Sequence, residues 1–366
     1  MIERFLPIVI IILLLMVLEA LFLIIKKNLN WNLREIAINF LLGISNLVVG
    51  LLFAGINLGL YLYIYNNFSL HLEPTNKLLA IGFAILLYDF LYYVSHLAHH
   101  KCAILWCNHF VHHSGKTFNL STAIRIGFIG NFTVWLFFLP MACIGISLEN
   151  YLIANFTQLV YQFLLHTTII PELGIFEKIL VTPSQHRVHH ASNDIYLDKN
   201  LGCFFVVWDK LFKTYQPELK DVPVVYGVTT PVPCEYSHWS LNILPYESLK
   251  RTVMRTKLWK EKFLTVFGNP KYIKFFTNES GSIYQGKITN INIFNFVEYI
   301  SPIFTGLYLA LNFQNLGKFE SFAVTTIFFL GANLAGQWFC QTIKRKYMLY
   351  TLLLQMILGL YMIITI

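Results

Sequence analysis

The chain has 366 residues, of which 56% are hydrophobic and only 13% charged, and its mean hydropathy is +0.57. Ordinary soluble domains carry about a quarter charged residues, so this composition excludes a soluble enzyme with a conventional surface, a disordered regulator and a disulfide-stapled secreted module. The formal net charge of +8 is read as loop lysines and arginines that orient membrane spans beside anionic headgroups, not as a nucleic-acid surface.

Apolar runs of spanning length follow one another along the chain. The first, from about Phe5 to Ile25, is closed by Lys26 and Lys27 and lacks a small-residue cleavage site, so it reads as a span and not a signal peptide. The second, Ile36 to Ile64, is long enough to cross with tilt or with a kink at Gly50 or Gly55. A third, Leu78 to Val94, runs directly into a group of histidines. Gly127 to Ile146 and Tyr151 to Leu165 are expected as a fourth and fifth span joined by a tight hairpin.

From Pro171 to about Asn290 charges and prolines return, so this segment is expected to face water. Its basic, aromatic-containing stretch Lys250 to Lys262 suits the headgroup level. Three final runs, Ile293 to Leu311, Phe322 to Phe339 and Tyr347 to Ile366, complete the set. With the N-terminus outside, Lys26, Lys27, Arg34, Lys101, Lys116, Arg125, the 171–290 segment and Lys344 to Lys346 all fall inside, leaving little but Lys77 and Lys318 outside. That asymmetry places the histidine groups on the cytoplasmic face.

Histidine is the outlier among the residue types. Of 12, His96, His99 and His100 end the third run, His109, His112 and His113 follow, His166 ends the fifth, and His186, His189 and His190 lie in TPSQHRVHHASN. On a helix, positions i, i+3 and i+4 share one face with Cβ atoms about 5–6 Å apart. Each H-x-x-H-H therefore offers imidazoles converging on one point, and imidazole suits iron, zinc and copper. Eight to ten such rings, roughly, suit two metals sharing one site. Unpaired polar rings at a bilayer edge are costly unless ligated or hydrogen-bonded. His71 and His238 stand apart and are read as ordinary packing residues. The six cysteines show no C-x-x-C pair, so neither a zinc ribbon nor a disulfide framework is indicated. The expected fold is all-α, a polytopic membrane bundle with a cytoplasmic, histidine-rich helical cap holding a two-metal site.

Asp89 lies seven residues before His96, two helical turns away on the same face. Two readings are open for it: a carboxylate holding an imidazole N–H and fixing its tautomer, or a packing hydrogen bond to Tyr92 or Tyr93. Arg125, Asn193, Asp198 and Asn200 are near enough in sequence to touch the site, or to cap a helix or pair with a neighbour. Asp89, Asp198 and Asn193 are the candidate catalytic side chains. Glu19 and Glu298 have no histidine at helical spacing and are read as packing or pathway residues.

The string DFLYYVSHLAHHKCAILWCNHFVHHSGKTFNLSTAIR, the single His166 and TPSQHRVHHASNDIYLDKNLGCFFVVWDKLFKTY resemble the fatty acid hydroxylase / sterol desaturase superfamily. NLSTAIR, YQFLLHT and YGVTTP look most like its alkylglycerol monooxygenase branch. The resemblance is dense over 85–230. It implies a membrane-integral, non-haem enzyme with two iron ions that uses O₂ and external electrons to hydroxylate or desaturate a C–H bond of a lipid (fatty acyl, sterol or alkylglycerol ether). The implied ligands are His96 and His100, then His109, His112 and His113, then His186, His189 and His190, with His166 as a ninth. His99 is an extra within the first box.

Two departures from the branch, Leu97 for the usual arginine and Lys101 for the usual acidic residue, count against ether-lipid cleavage. The implied partners are a lipid from the bilayer and an electron donor, whether a reductase, a cytochrome or a reduced pterin. The implied organisation is N-terminal transmembrane helices over 1–80, a hydroxylase-type catalytic domain over 81–235, an interfacial segment over 236–290 and C-terminal transmembrane helices over 291–366. A composition rich in Lys, Asn and Ile with no retention signal favours a bacterial inner membrane over the endoplasmic reticulum. The rival class is a membrane metal-binding or transport protein without oxygenase activity, which would place its ligands near the bilayer midplane at broken helices.

Overall fold

The computed structural model describes residues 2–27, 31–230 and 238–273, with isolated positions at 302, 324, 325, 328, 329 and 331; side chains are described from residue 10 onward. Apart from those isolated positions, the three expected C-terminal spans and the 291–366 region lie outside the described residues, as does Glu298. Among the described residues the protein is helical and has no strand, only two isolated bridges, Leu180 with Phe205 and Ala191 with Tyr226.

Helix α1 runs Ile2–Ile25, α2 Leu33–Phe68 and α3 Lys77–Lys101. Asn32 caps α2 by accepting from the Arg34 and Glu35 amides, and Asn76 caps α3 by accepting from Leu78 and Leu79. Helices α2 and α3 are each long and apolar enough to cross a membrane. Ile11, Leu14, Val17, Leu18 and Leu21 of α1, with Leu52 and Ile56 of α2, turn outward, an arrangement that suits a hydrocarbon solvent.

Helix α3 does not stop at Val94 but carries the first histidines within its last two turns. A new helix, α4 (Ala103–His113), starts immediately after Cys102 and carries the second group.

The expected fourth span is not a single helix. Gly127 to Ile146 forms two 3-10 turns, Phe128–Phe132 and Val134–Phe138, and then the short α5 (Leu139–Ile144), which is too short to cross a bilayer. The sequence breaks it for two reasons. A Cβ at Gly127 or Gly130 would lie 2.6 or 2.5 Å from the Asn108 amide, so the backbone presses directly on α4. Gly145, at φ +106°, ends α5 in the left-handed region and faces the His71 backbone at a distance no side chain fits.

The fifth run is α6 (Leu148–Leu165), capped by Ser147, with Glu73 accepting from the Ser147 amide and the Asn150 side chain. It packs against α3 through a stacked aromatic core in which Tyr88 lies 4.2 Å from Phe138 and Tyr61 lies 4.6 Å from Tyr151, ring centre to ring centre. The third histidine group lies on α7 (Pro183–His189), with His190 as its C-cap. Helices α8 (Val207–Leu211), α9 (His238–Arg255) and α10 (Trp259–Phe267) follow. The basic stretch predicted for the headgroup level forms the end of α9 and the first turn of α10, with Trp259 and Phe263 exposed.

Candidate metal centre

Four segments bring nine imidazoles together. His96 and His100 of α3, His109 and His113 of α4 and His189 of α7 each offer a ring nitrogen within 4.8 Å of the others. His112 of α4, His166 at the end of α6, and His186 and His190 form a second such group. The i, i+3, i+4 spacing works as follows: His109 and His113 serve one group, while His112, a residue away, serves the other.

The hydrogen bonds fix the tautomers. His96 Nδ1 lies 2.8 Å from the Leu201 carbonyl, His112 Nδ1 3.1 Å from Arg125, His166 Nδ1 2.7 Å from Gln162 and His189 Nδ1 3.0 Å from Lys199. A carbonyl only accepts, so each Nδ1 carries the proton and each Nε2 is a bare lone pair. Yet His112 Nε2 and His166 Nε2 face each other at 3.3 Å. With no proton on either atom they cannot hydrogen-bond; the contact is repulsive unless a cation lies between the lone pairs.

Other Nε2 pairs close to 2.9 Å (His96 with His109) and 3.0 Å (His109 with His113, His166 with His186). Metal–imidazole bonds of about 2.0–2.1 Å place neighbouring ligand nitrogens roughly 2.9–3.4 Å apart. Buried Nε2 atoms of His100, His189 and His190 have no partner among the described residues. The residues present therefore fit metal ions.

Burial first, and neighbouring imidazoles second, push His109, His113, His186, His189 and His190 well below the usual imidazole value. Burial brings His112 down to about 4. The rings are thus held neutral, the state that ligates. Phe118, stacked on His166 at 5.5 Å and on Tyr226 at 4.9 Å, and Trp106, 5.7 Å from His113, line the site with apolar surface.

Of the candidate acids, Asp198 reaches the site: its Oδ1 lies 3.1 Å from His100 Nδ1, while Oδ2 pairs with Lys101. Asp89 does not. Its carboxylate accepts from the Phe204 and Phe205 amides and from Trp208 Nε1 at 2.8, 3.2 and 2.8 Å, so both readings drawn from the sequence are corrected. Two turns separate Asp89 from His96 by about 10 Å along the axis, further than an aspartate reaches. Asn193 also stands away from the imidazoles, bonding Pro223 O and Val225 N. Asn200 holds Gln185 O and Gln216 O, a support under α7.

Three side chains clamp the segment after α4. Arg125 donates to Val111 O, Ser114 Oγ and Asn39 Oδ1, which points its own carbonyl at His112. Glu19 accepts from Leu120 N and Thr167 Oγ1, the packing role of the two read from the sequence. Glu35, which the sequence reading passed over, accepts from the Lys116 and Thr117 amides. Asp209 was missed as well; it accepts from Leu201 N and Gly202 N at 2.7 and 2.8 Å and so steadies the carbonyl that orients His96. A carboxylate at the edge of an apolar run was the available signal for both. His71 bonds Ser69 in a surface loop, and His238 is buried against Ser45 and Phe128. His99 joins neither group.

Fold and site together define a helical protein with membrane-length helices and two adjoining, ligand-ready clusters of neutral imidazoles. Residues 81–214, which contain all nine clustered histidines, match the fatty acid hydroxylase family model.

The chain is 34% identical to alkylglycerol monooxygenase of Danio rerio over 62% of its own length and 50% of that protein. It is 39% identical to alkylglycerol monooxygenase of Homo sapiens over 52% of its length and 42% of that protein. A more distant likeness, 28% over 39% of this chain and 44% of the relative, links it to ornithine lipid hydroxylase OlsE of Rhizobium tropici. The chain spans about half the length of the curated relatives it matches. No solved structure matches it.

Proposed function

We propose that the protein is a multi-pass membrane enzyme that hydroxylates a C–H bond of a lipid with O₂, using two iron ions held by the nine clustered histidines on the cytoplasmic side. The observation that carries this reading is the facing pair of lone pairs on His112 and His166. Its support in kind comes from relatives named for monooxygenation or hydroxylation of lipids. One oxygen atom enters the C–H bond as a hydroxyl and the other leaves as water, with two electrons from an external donor and two protons. The metals, when bound, supply the oxidising power that no side chain has.

The chain's own residues do the rest. His96, His100, His109, His113 and His189 would hold one ion, and His112, His166, His186 and His190 the other. Carbonyls of Leu201, Lys199, Arg125 and Gln162 hold the imidazole protons at Nδ1 and aim Nε2 inward. Neutral ligands spare the bilayer edge a set of buried anions. Phe118, Tyr226 and Trp106 keep water from the site. Asp198, half-exposed, links His100 to solvent as a proton acceptor. The electron donor is an external partner, a reduced pterin by analogy with the alkylglycerol branch.

The test is metal analysis of the purified protein in nanodiscs, followed by O₂ uptake with 1-O-hexadecylglycerol and phosphatidylcholine as probe lipids and reduced tetrahydropterin or a flavin reductase as donor. About two irons per chain and a hydroxylated or cleaved product are expected. A protein that binds no iron, or binds it and transports it across the bilayer without consuming O₂, refutes the reading.

A further inference from the structure

His99 is the imidazole that the two clusters leave out. It is 4% exposed, and its Nδ1 lies 2.7 Å from the Ser95 carbonyl one turn back on α3. That contact puts the proton on Nδ1 and leaves Nε2 able only to accept. Nε2 is buried and has no partner among the described residues. The ring sits 5.9 Å, centre to centre, from both His109 and Phe137, so it stands between the five-histidine cluster and the aromatic wall of the Val134–Phe138 turn. A buried acceptor with nothing to accept is costly and calls for a donor from elsewhere. The phenyl ring of Phe137 offers none, and His109 Nε2 is already turned to His96 and His113.

We propose that His99 is a specificity-determining residue that accepts a hydrogen bond from a hydroxyl group of the lipid substrate. This inference rests on the reading of the protein as a lipid hydroxylase. The chemistry is selective. Ether oxygens, ester carbonyls and bare alkyl chains carry no hydrogen to donate, whereas a free hydroxyl does. A site built around an unmet polar group discriminates strongly against analogues that leave it unmet. The substrate is accordingly a lipid with a free hydroxyl held next to the five-histidine cluster, and His99 fixes which end of that lipid enters first.

The experiment compares 1-O-hexadecylglycerol with its 2,3-di-O-methyl derivative on iron-loaded protein in nanodiscs. Wild type should favour the free diol at least tenfold in kcat/KM, mainly through KM. His99→Leu should bring the two substrates within about twofold of each other while retaining the wild-type iron content, and His99→Gln, which keeps an acceptor, should recover most of the preference. Loss of iron from both variants would show that His99 is a ligand and overturn the proposal, as would an unchanged substrate ratio in His99→Leu.

If wild type oxidises neither lipid, the enzymatic reading fails separately. Binding of tritiated 1-O-hexadecylglycerol then decides the role of His99: tenfold weaker binding by His99→Leu, recovered in His99→Gln, supports it, and equal binding by wild type and His99→Leu overturns it.

Discussion

The Asp198 carboxylate bridges His100 Nδ1, at 3.1 Å, and the Lys101 ammonium. Lys101, one of the two positions at which the sequence departs from the alkylglycerol pattern, thus serves to hold an acid supplied from another segment. Carboxylates that orient a ligating imidazole are worth about 10–100-fold in metal affinity. Asp198→Asn should weaken iron binding by that amount in a chelator competition, and Lys101→Gln by less. Burial alone would raise the Asp198 carboxyl, but the His100 hydrogen bond and then Lys101 bring it down to about 2. A lowered carboxylate makes its full contribution above the ordinary carboxylate range and loses it only as pH falls through that low value. The ratio of wild-type to Asp198→Asn affinity should therefore stay constant from about pH 5 to pH 8.

His112 and His113 are sequence neighbours that belong to different histidine clusters. His112→Ala and His113→Ala should each lower bound iron from about two to about one per chain and abolish lipid-dependent O₂ uptake. A variant that keeps both ions by metal analysis would contradict the division into two groups.

Asp89 has a structural task. Asp89→Leu strips the partner from two backbone amides and an indole, and should cost roughly 3 kcal/mol of stability. Thermal unfolding would show it, with KM unaffected in whatever fraction remains folded. A loss of turnover with unchanged stability would return Asp89 to the chemistry.

Gly130 packs directly on α4. A Cβ there would lie 2.5 Å from Asn108 Nδ2, next to His109. Gly130→Ala should displace α4 and cost about 1–3 kcal/mol, and iron occupancy should fall although no ligand has changed.

His238, buried beside Ser45, is pushed down to about 3 by burial. The unfolded chain takes up this proton near the ordinary imidazole value, so its contribution to stability falls as pH drops from about 6.5 toward 3. His238→Gln should flatten the dependence of the unfolding temperature on pH between about 7 and 5, measured against wild type.

The H-x-x-H-H spacing made the clustered rings legible because helical period alone decides which positions share a face. Period gives direction and not reach, which is why Asp89 pointed the right way and still fell short of His96. The broken fourth run was hidden by its hydropathy: an apolar stretch looks the same whether it crosses lipid or is pressed against a neighbouring helix, and Gly127 and Gly130 are the only hint that it is the second. What orients the rings was not legible at all. Leu201, Lys199, Arg125 and Gln162 act through carbonyls, and every residue type has one.

Those carbonyl anchors imply an unusual tolerance. Exchange of the Lys199 or Leu201 side chain leaves the atom that steers His189 or His96 in place, so variants at these two positions should spare the orientation of the rings, whereas Asn200, whose side chain holds Gln185 O and Gln216 O, tolerates no such exchange. Adding or deleting one residue there would slide both anchors past their rings at once. The steering atoms are indifferent to spelling and strict about length, and drift among homologues should show almost no gaps there.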